Sequence, residues 1–135
     1  MPFVLDCSVT LAWMLPDEDE HRVAALLERL ATGGAIVPEV WPLEVANALL
    51  VAQRRRRLKE KDIERALRDL AALPISVDQE THQHALGATL SLAREYKLSS
   101  YDAAYLELAR RIRQPLATLD KKLRSACRVA GIELL

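Results

Sequence analysis

The chain of 135 residues has the length of one ordinary globular domain, so it can bury a core without disulfides. Its 19 basic and 19 acidic residues balance, so the net charge gives no evidence for a nucleic-acid partner. No apolar run approaches the roughly 18–20 residues that span a membrane, and no basic signal segment opens the chain, so we expect one cytoplasmic domain, residues 1–135.

The cysteines and histidines argue against a thiolate or imidazole metal site. Cys7 and Cys127 form neither a Cys-x-x-Cys motif nor a disulfide framework, so we interpret both as buried thiols in a reducing compartment. His82 and His84 lie two residues apart on a predicted helix and face different directions, and His21 stands alone. All three histidines are predicted to be surface residues.

The first elements are a strand and two helices. The apolar run Phe3–Leu5 predicts a strand that is buried on both faces and ends at Asp6. Residues 8–15 predict a short helix. The acidic run 17–20 then opens a second helix, which ends at Gly33. We interpret this run as a solvated helix start favoured by the dipole rather than as a metal site.

The second strand, Ala35–Val37, leads into a helix with Pro42 near its first position, where a missing N–H costs nothing. This helix is apolar on most sides, so we expect it to be largely buried. Glu44 and Asn47 interrupt the apolar pattern on one face, three residues apart. Because a buried carboxylate needs a partner, Glu44 is predicted to meet a cation, a metal ion or the solvent of a cleft.

Four consecutive arginines, residues 54–57, end that helix, and two interpretations stay open. They form a solvated helix end, or they contact the phosphates of a nucleic acid. Residues 62–73 predict an amphipathic helix, and residues 74–77 predict a weak third strand. Asp78 is predicted to cap a long helix over residues 79–97, with Leu86 on its apolar face.

The stretch 98–106 predicts the start of the next helix. Ser99 or Ser100 can accept from the first free N–H groups, which places Asp102 in the first turn. A fourth strand over residues 116–119 then runs into Asp120. Lys121–Ala130 predicts a helix, and residues 132–134 predict a last short strand.

Strands that alternate with helices predict a parallel sheet with helices on both faces, which binds ligands outside the carboxyl ends of its strands. Asp6 and Asp120 end strands, and Glu44 and Asp102 begin helices at the same edge, so we expect four carboxylates to converge. Carboxylates within about 4–6 Å repel one another, and a divalent cation relieves that repulsion. Oxygen ligands without His or Cys select Mg²⁺ or Mn²⁺, which can activate water for phosphodiester cleavage.

Four segments together resemble a known family. They are Asp6 after a short strand, PLEVANAL at residues 42–49, SSYDAAY at 99–105 and LATLDKK at 116–122. These segments are similar to the acidic motifs of PIN-domain ribonucleases. Their order and the chain length resemble the VapC-type toxins of type II toxin–antitoxin pairs, and the resemblance extends over the whole chain.

This resemblance implies a Rossmann-like α/β/α sandwich whose central parallel sheet has about five strands in the order 3-2-1-4-5. It also implies an endoribonuclease that depends on Mg²⁺ or Mn²⁺, forms a homodimer and is inhibited by a cognate antitoxin. The apolar segment Val40-Trp41 is compatible with a dimer interface.

The resemblance also implies roles for individual residues. The metal ligands and catalytic acids would be Asp6, Asp102, Glu44 and Asp120, of which the first two hold the main ion directly. The supporting polar residues would be Ser8, Asn47 and Thr118. The basic run and the lysines after the last acid supply the candidate substrate contacts, Arg54, Arg55, Lys121 and Lys122. Some relatives carry a further carboxylate where the two lysines stand, which leaves the number of ions open.

Two other functions remain open. One is a module of the same fold that binds RNA or a protein without cleaving it, although a pure binder has no need for clustered carboxylates beside anionic RNA. The other is a phosphatase of the haloacid-dehalogenase type, suggested by DCSVT at residues 6–10. That class needs a second aspartate where Ser8 stands. The sequence has neither a GxxxxGK[ST] nor a GxGxxG motif, which argues against nucleotide binding.

Overall fold

The sheet consists of short parallel strands. A computed structural model describes residues 1–15 and 20–135, so most of the acidic run predicted to open the second helix, residues 17–19, lies outside the described residues. The spatial order is β3-β2-β1-β4, and every pairing is parallel. This confirms the α/β class and the first four positions of the predicted strand order. The bounds are β1 (Phe3–Leu5), β2 (Ala35–Val37), β3 (Ile75–Val77) and β4 (Leu116–Ala117).

The predicted fifth strand is reduced to a single bridge. Leu134 pairs with Leu116 in a parallel bridge outside the named strands. The Leu116 N–H donates to the Glu133 carbonyl at 2.9 Å, and the Leu135 N–H donates to the Leu116 carbonyl at 3.1 Å. Because β4 contains only 2 residues, it has few backbone groups that could hydrogen-bond to a longer neighbouring strand. The prediction of a fifth strand was therefore wrong for this sheet.

Helices cover both faces of the sheet. Their bounds are α1 (Cys7–Met14), α2 (Glu20–Gly33), α3 (Trp41–Arg54), α4 (Glu60–Ala71), α5 (Thr81–His84), α6 (Leu90–Tyr96), α7 (Ser100–Ile112) and α8 (Lys121–Ala130). Right-handed crossovers place α1 to α4 on one face and α5 to α8 on the other. In agreement, α1 packs against α2 and α3, and α7 packs against α6 and α8. No helix in the described ranges is long and apolar enough to cross a membrane.

The predicted helix over residues 79–97 contains a π-helical turn, Ala85–Thr89, between α5 and α6. A π turn takes up more residues than an α turn, so the apolar face changes phase at that point. Leu86 is consequently 90% exposed, and its predicted place on the buried face was wrong. Thr89 and Leu92 are buried, as predicted.

A buried ion-pair network joins the end of β3 to α7. Asp78 is buried and accepts from both terminal nitrogens of Arg111, at 3.1 Å on Oδ1 and 2.6 Å on Oδ2. Thr81 Oγ1 donates to Asp78 Oδ2 at 2.8 Å. Arg111 also donates to the buried Glu107, from Nε at 2.8 Å and from Nη2 at 3.1 Å. Glu80 precedes α5, so the prediction that Asp78 caps this helix was wrong.

Helix α3 buries one stripe rather than most of its surface. Leu43 is 74% exposed and Leu50 is 45% exposed, so the expectation of a largely buried helix was wrong. The Trp41 indole Nε1 donates to Thr10 Oγ1 at 3.2 Å inside the core. Trp41 is therefore part of the core of the domain, while the dimer and its interface stay predictions. The buried positions of α3 recur every three or four residues at Trp41, Val45, Leu49 and Ala52.

Helix α7 forms the centre of the core. Every residue from 103 to 109 is buried, and the helix packs against β1, β4, α6 and α8. The small side chains of Ala103, Ala104 and Ala109 permit this close approach. The helix therefore has little freedom to shift relative to the strands.

We expect Arg111→Met to destabilise the fold by about 3–5 kcal/mol in urea denaturation at pH 7, because it leaves two buried carboxylates without their cation. Burial would raise the pKa of Asp78, but hydrogen bonds from Arg111 and Thr81 hold it below its ordinary value. The network therefore stabilises the fold at neutral pH, and this contribution is lost as the pH falls through the folded-state pKa. Arg110→Met, at an exposed neighbour, should change stability by less than about 0.5 kcal/mol. Equal stability of the two variants would contradict this role of Arg111.

Candidate active site

The first turn of α7 is fixed by a serine cap. Ser99 Oγ accepts a hydrogen bond from the backbone N–H of Asp102 at 3.1 Å, so Ser99 rather than Ser100 is the capping residue. Asp102 is half-buried in this turn, where the helix dipole favours a negative charge. The prediction that Asp102 lies in the first turn of this helix is confirmed.

Asp6 follows β1 directly and is 5% exposed. Two hydroxyl groups donate to its Oδ2, Ser8 Oγ at 2.6 Å and Thr118 Oγ1 at 2.7 Å. Thr118 follows β4, the neighbour of β1, so adjacent strand ends bring these side chains together. Ser8 thus acts as a hydrogen-bond donor where the haloacid-dehalogenase type would need an aspartate.

Backbone groups hold the two hydroxyls in turn. The Leu119 N–H donates to Ser8 Oγ at 2.9 Å, and the Asp120 N–H donates to Thr118 Oγ1 at 3.1 Å. Asp120 also caps α8, because its Oδ1 accepts from the Lys122 N–H at 3.3 Å. The turn between β4 and α8 therefore places Asp120 at the same edge as the two hydroxyls.

Glu44 lies in the first turn of α3, half-buried, and its Oε1 accepts a hydrogen bond from the Tyr105 hydroxyl. Tyr105 is fully buried and lies three residues after Asp102, on the same face of α7. Burial, followed by the charges of Asp6 and Glu44, raises the pKa of Tyr105, so the phenol remains a donor. Tyr105 was not among the predicted site residues, although its spacing from Asp102 and the need of Glu44 for a partner point to it.

Burial and neighbouring carboxylates raise the pKa values of three of the four predicted acids. Burial is the largest of the causes that raise the pKa of Asp6, Glu44 and Asp102 above their ordinary values. The charge of Asp120 raises the pKa of Asp6 and Asp102 further, and the charge of Asp6 raises the pKa of Glu44 and Asp102. Such effects require proximity, so the structure brings the four carboxylates to one edge of the sheet.

The donor set fits a hard divalent cation by its chemistry. All four candidate ligands are carboxylates, which Mg²⁺ and Mn²⁺ prefer, and a cation would relieve their mutual repulsion. Among residues 1–15 and 20–135, however, no group of three or more His, Cys, Asp or Glu side chains already forms a metal-binding cluster. Mg²⁺ usually keeps several waters and is bound through one or two carboxylates, which is the arrangement that Asp6 and Asp102 would give.

The two candidate substrate lysines lie beside this edge. Lys121 and Lys122 are exposed in the first turn of α8, directly after Asp120. The charge of Lys122 partly opposes the rise that burial causes in the pKa of Asp102. Lys122 is therefore close enough to the carboxylates to influence an anionic ligand there.

The other predicted polar residues belong to α3. Asn47 is exposed, one turn after Glu44 on the same side of the helix. Arg54 and Arg55 lie at the opposite end of α3, about 15 Å along its axis from Glu44. The structure thus separates these arginines from the carboxylates, while Asn47 lies near them.

Comparison with known proteins identifies the family of this chain. The PIN domain family matches residues 3–129, nearly the whole chain. The chain belongs to the PIN domain family. Ribonuclease VapC3 from Pyrobaculum aerophilum is 28% identical over 123 residues, which cover 91% of this chain and 92% of that protein.

Solved structures share the PIN domain fold of this chain. The crystal structure of PAE2754 from Pyrobaculum aerophilum has a TM-score of 0.71 at 20% identity, and the match covers 99% of this chain and 90% of that chain. The crystal structure of FitAcB from Neisseria gonorrhoeae has a TM-score of 0.66 at 17% identity, with 98% and 96% covered. At these identities the likeness concerns the fold.

We expect Asp102→Asn to raise the Tm of this PIN domain in EDTA at pH 7 by a few degrees, because it removes a carboxylate that is disfavoured by burial and by the charges of Asp120 and Asp6. A carboxyl whose folded-state pKa is raised destabilises the fold as the pH rises above its unfolded pKa of about 4. The gain should therefore decrease as the pH falls through about 4 and disappear well below it, where the carboxyl is protonated in both states. Thermal denaturation of Asp69→Asn, an exposed acid on α4, provides the control. A lower Tm for Asp102→Asn than for this control at pH 7 would contradict the repulsion.

Proposed function

We propose that this PIN domain is an endoribonuclease that hydrolyses RNA phosphodiester bonds with the help of Mg²⁺ or Mn²⁺. The observation that carries the proposal is the convergence of Asp6, Glu44, Asp102 and Asp120 at one edge of the sheet. Membership of the PIN domain family and the similarity to Ribonuclease VapC3 support RNA as the substrate.

The site residues divide the work between binding the cation and orienting its ligands. When bound, the cation supplies an activated water and stabilises the charge on the leaving oxygen. Ser8 and Thr118 donate to the same oxygen of Asp6, so they favour its ionised form and fix its orientation. Four carboxylates would hold the cation, Asp6 and Asp102 directly and Glu44 and Asp120 through waters or a second ion.

The basic residues suggest two zones of RNA contact. Lys121 and Lys122 lie beside the carboxylates, where they would bind phosphates next to the scissile bond. Arg54 and Arg55 lie at the far end of α3, so we propose that they contact the RNA backbone away from the reaction. Asn47, exposed beside Glu44, is positioned for a substrate contact.

We expect Asp6→Asn and Asp102→Asn each to lower RNA cleavage by more than about 100-fold. Removing a residue that only hydrogen-bonds to a metal ligand commonly costs 10–100-fold in activity, and these variants change the proposed ligand itself. The measurement is cleavage of a structured RNA pool in EDTA, Mg²⁺, Mn²⁺ and Ca²⁺. Discrete products should require Mg²⁺ or Mn²⁺ and should vanish in both variants. Circular dichroism verifies that the variants fold, and Asp69→Asn serves as the matched acid control.

Other outcomes would contradict the assignment. Cleavage by either variant at the wild-type rate would show that these acids are not the catalytic residues. RNA binding by a folded wild type without cleavage in Mn²⁺ would instead support a binding module of the same fold.

We propose a cognate antitoxin as a second partner, which inhibits cleavage. A groove of about 510 Å³ lies between α1, α2 and α4, with the apolar side chains of Trp13, Leu27 and Leu70 in its lining. None of the 12 residues of α4, all of them described, is buried. Ile63 and Leu70 pack in part against the core, and Leu67 is 48% exposed. Exposed apolar surface next to charged residues such as Arg65 suits a protein partner. The cytoplasmic location expected from the sequence stays a prediction.

We also propose a homodimer, formed through the exposed leucines of α3. Leu43 and Leu50 lie seven residues apart on one face. Sedimentation velocity should give a dimer for the wild type and a shift to monomer for Leu43→Glu. Leu67→Glu, at the partly exposed leucine of α4, should remain dimeric. A monomeric wild type, or equal behaviour of the two variants, would contradict this interface.

A further inference from the structure

We propose that Tyr105 is a positioning residue, which holds the Glu44 carboxylate in the orientation that a bound divalent cation requires. This inference rests on the proposed function, because it assumes that the four carboxylates bind a cation. It adds to the site a residue that is uncharged and fully buried.

Glu44 is one of the two acids that the strand ends do not fix, and unlike Asp102 it lies outside the central helix. Asp6 follows β1 and Asp120 follows β4, whereas Glu44 is supplied by α3. The neighbouring charges that act on Glu44, those of Asp6 and Asp102, repel it. A repelled glutamate with three rotatable side-chain bonds turns toward solvent unless a donor holds it. The hydrogen bond from the Tyr105 hydroxyl supplies that donor.

Tyr105 is suited to this task because it has little freedom of its own. Its side chain is fully buried on α7, and its chain neighbours Ala104 and Leu106 are buried too. Asp102 lies one turn earlier on the same face, so one rigid helix carries a candidate ligand and the support of another. Movement of Glu44 relative to Asp102 is thereby restricted.

The hydroxyl, rather than the ring, distinguishes this residue from an ordinary core side chain. A phenylalanine would fill nearly the same volume, and a buried hydroxyl without a partner costs free energy. The Tyr105 hydroxyl leaves the apolar interior to meet a half-buried carboxylate from another helix. Donors that orient a metal ligand typically contribute 10–100-fold to metal affinity.

The test is Mn²⁺ binding followed by electron paramagnetic resonance, in the absence of RNA. We expect Tyr105→Phe to raise the Kd for Mn²⁺ about tenfold while the protein stays folded by circular dichroism. The Mg²⁺ concentration for half-maximal cleavage should rise in parallel. Tyr101→Phe removes the hydroxyl of a tyrosine that is 61% exposed on the same helix, and this matched control should bind Mn²⁺ like the wild type.

A double-mutant cycle separates positioning from a general effect on the fold. In the Glu44→Ala background the partner of the hydroxyl is gone, so Tyr105→Phe should change the Kd by less than about twofold. An equal loss of affinity in both backgrounds would overturn the proposal, because Tyr105 would then act through the fold. A Kd of Tyr105→Phe equal to that of the wild type would also overturn it.

Failure of the proposed function gives a different result. A folded wild type that neither binds Mn²⁺ nor cleaves RNA would refute the cation site, and the positioning role would fall with it. A wild type that binds Mn²⁺ and cleaves RNA, with an unaffected Tyr105→Phe, would refute the role of Tyr105 alone.

Discussion

The packing of α7 through the centre of the domain fixes the geometry of the candidate site. Residues 103–109 are all buried, and the alanines among them let the helix lie close to β1 and β4. The Ser99 cap then sets where the helix begins. Because the helix has one position relative to the strand ends, Asp102 and Tyr105 occupy fixed places beside Asp6.

Like charges at one edge of a sheet destabilise the fold, and hydrogen-bond donors offset this effect at three of the four acids. Asp6 accepts hydrogen bonds from hydroxyl groups, Asp120 from a backbone N–H at a helix N-terminus, and Glu44 from a phenol. Each donor is neutral, so the negative charge of the cluster is retained. A cluster of carboxylates whose charge is opposed only in part, by Lys122, is suited to attract a cation.

Local patterns were sufficient to predict much of the fold and three of the site positions. Asp6 follows a strand, Asp120 caps α8 and Asp102 follows a serine cap, which are features of neighbouring residues. Other features depend on residues far apart in the chain. Tyr105 and Glu44 are 61 positions apart in the sequence, and the periodicity of apolar residues does not predict contacts between such distant residues. The π turn rotates the apolar face of the helix, so Leu86 is exposed. Because β4 is short, the predicted fifth strand does not form beside it.

The low burial of α4 affects where local unfolding of the domain begins. Segments with few buried contacts open at a lower free energy than the core, and α4 has no buried residue among those described. Asp78, next in the chain after β3, is tied to α7 through Arg111. The ion pair thus fastens the chain that follows β3 to the central helix, so we expect amide exchange in α7 to be slower than in α4.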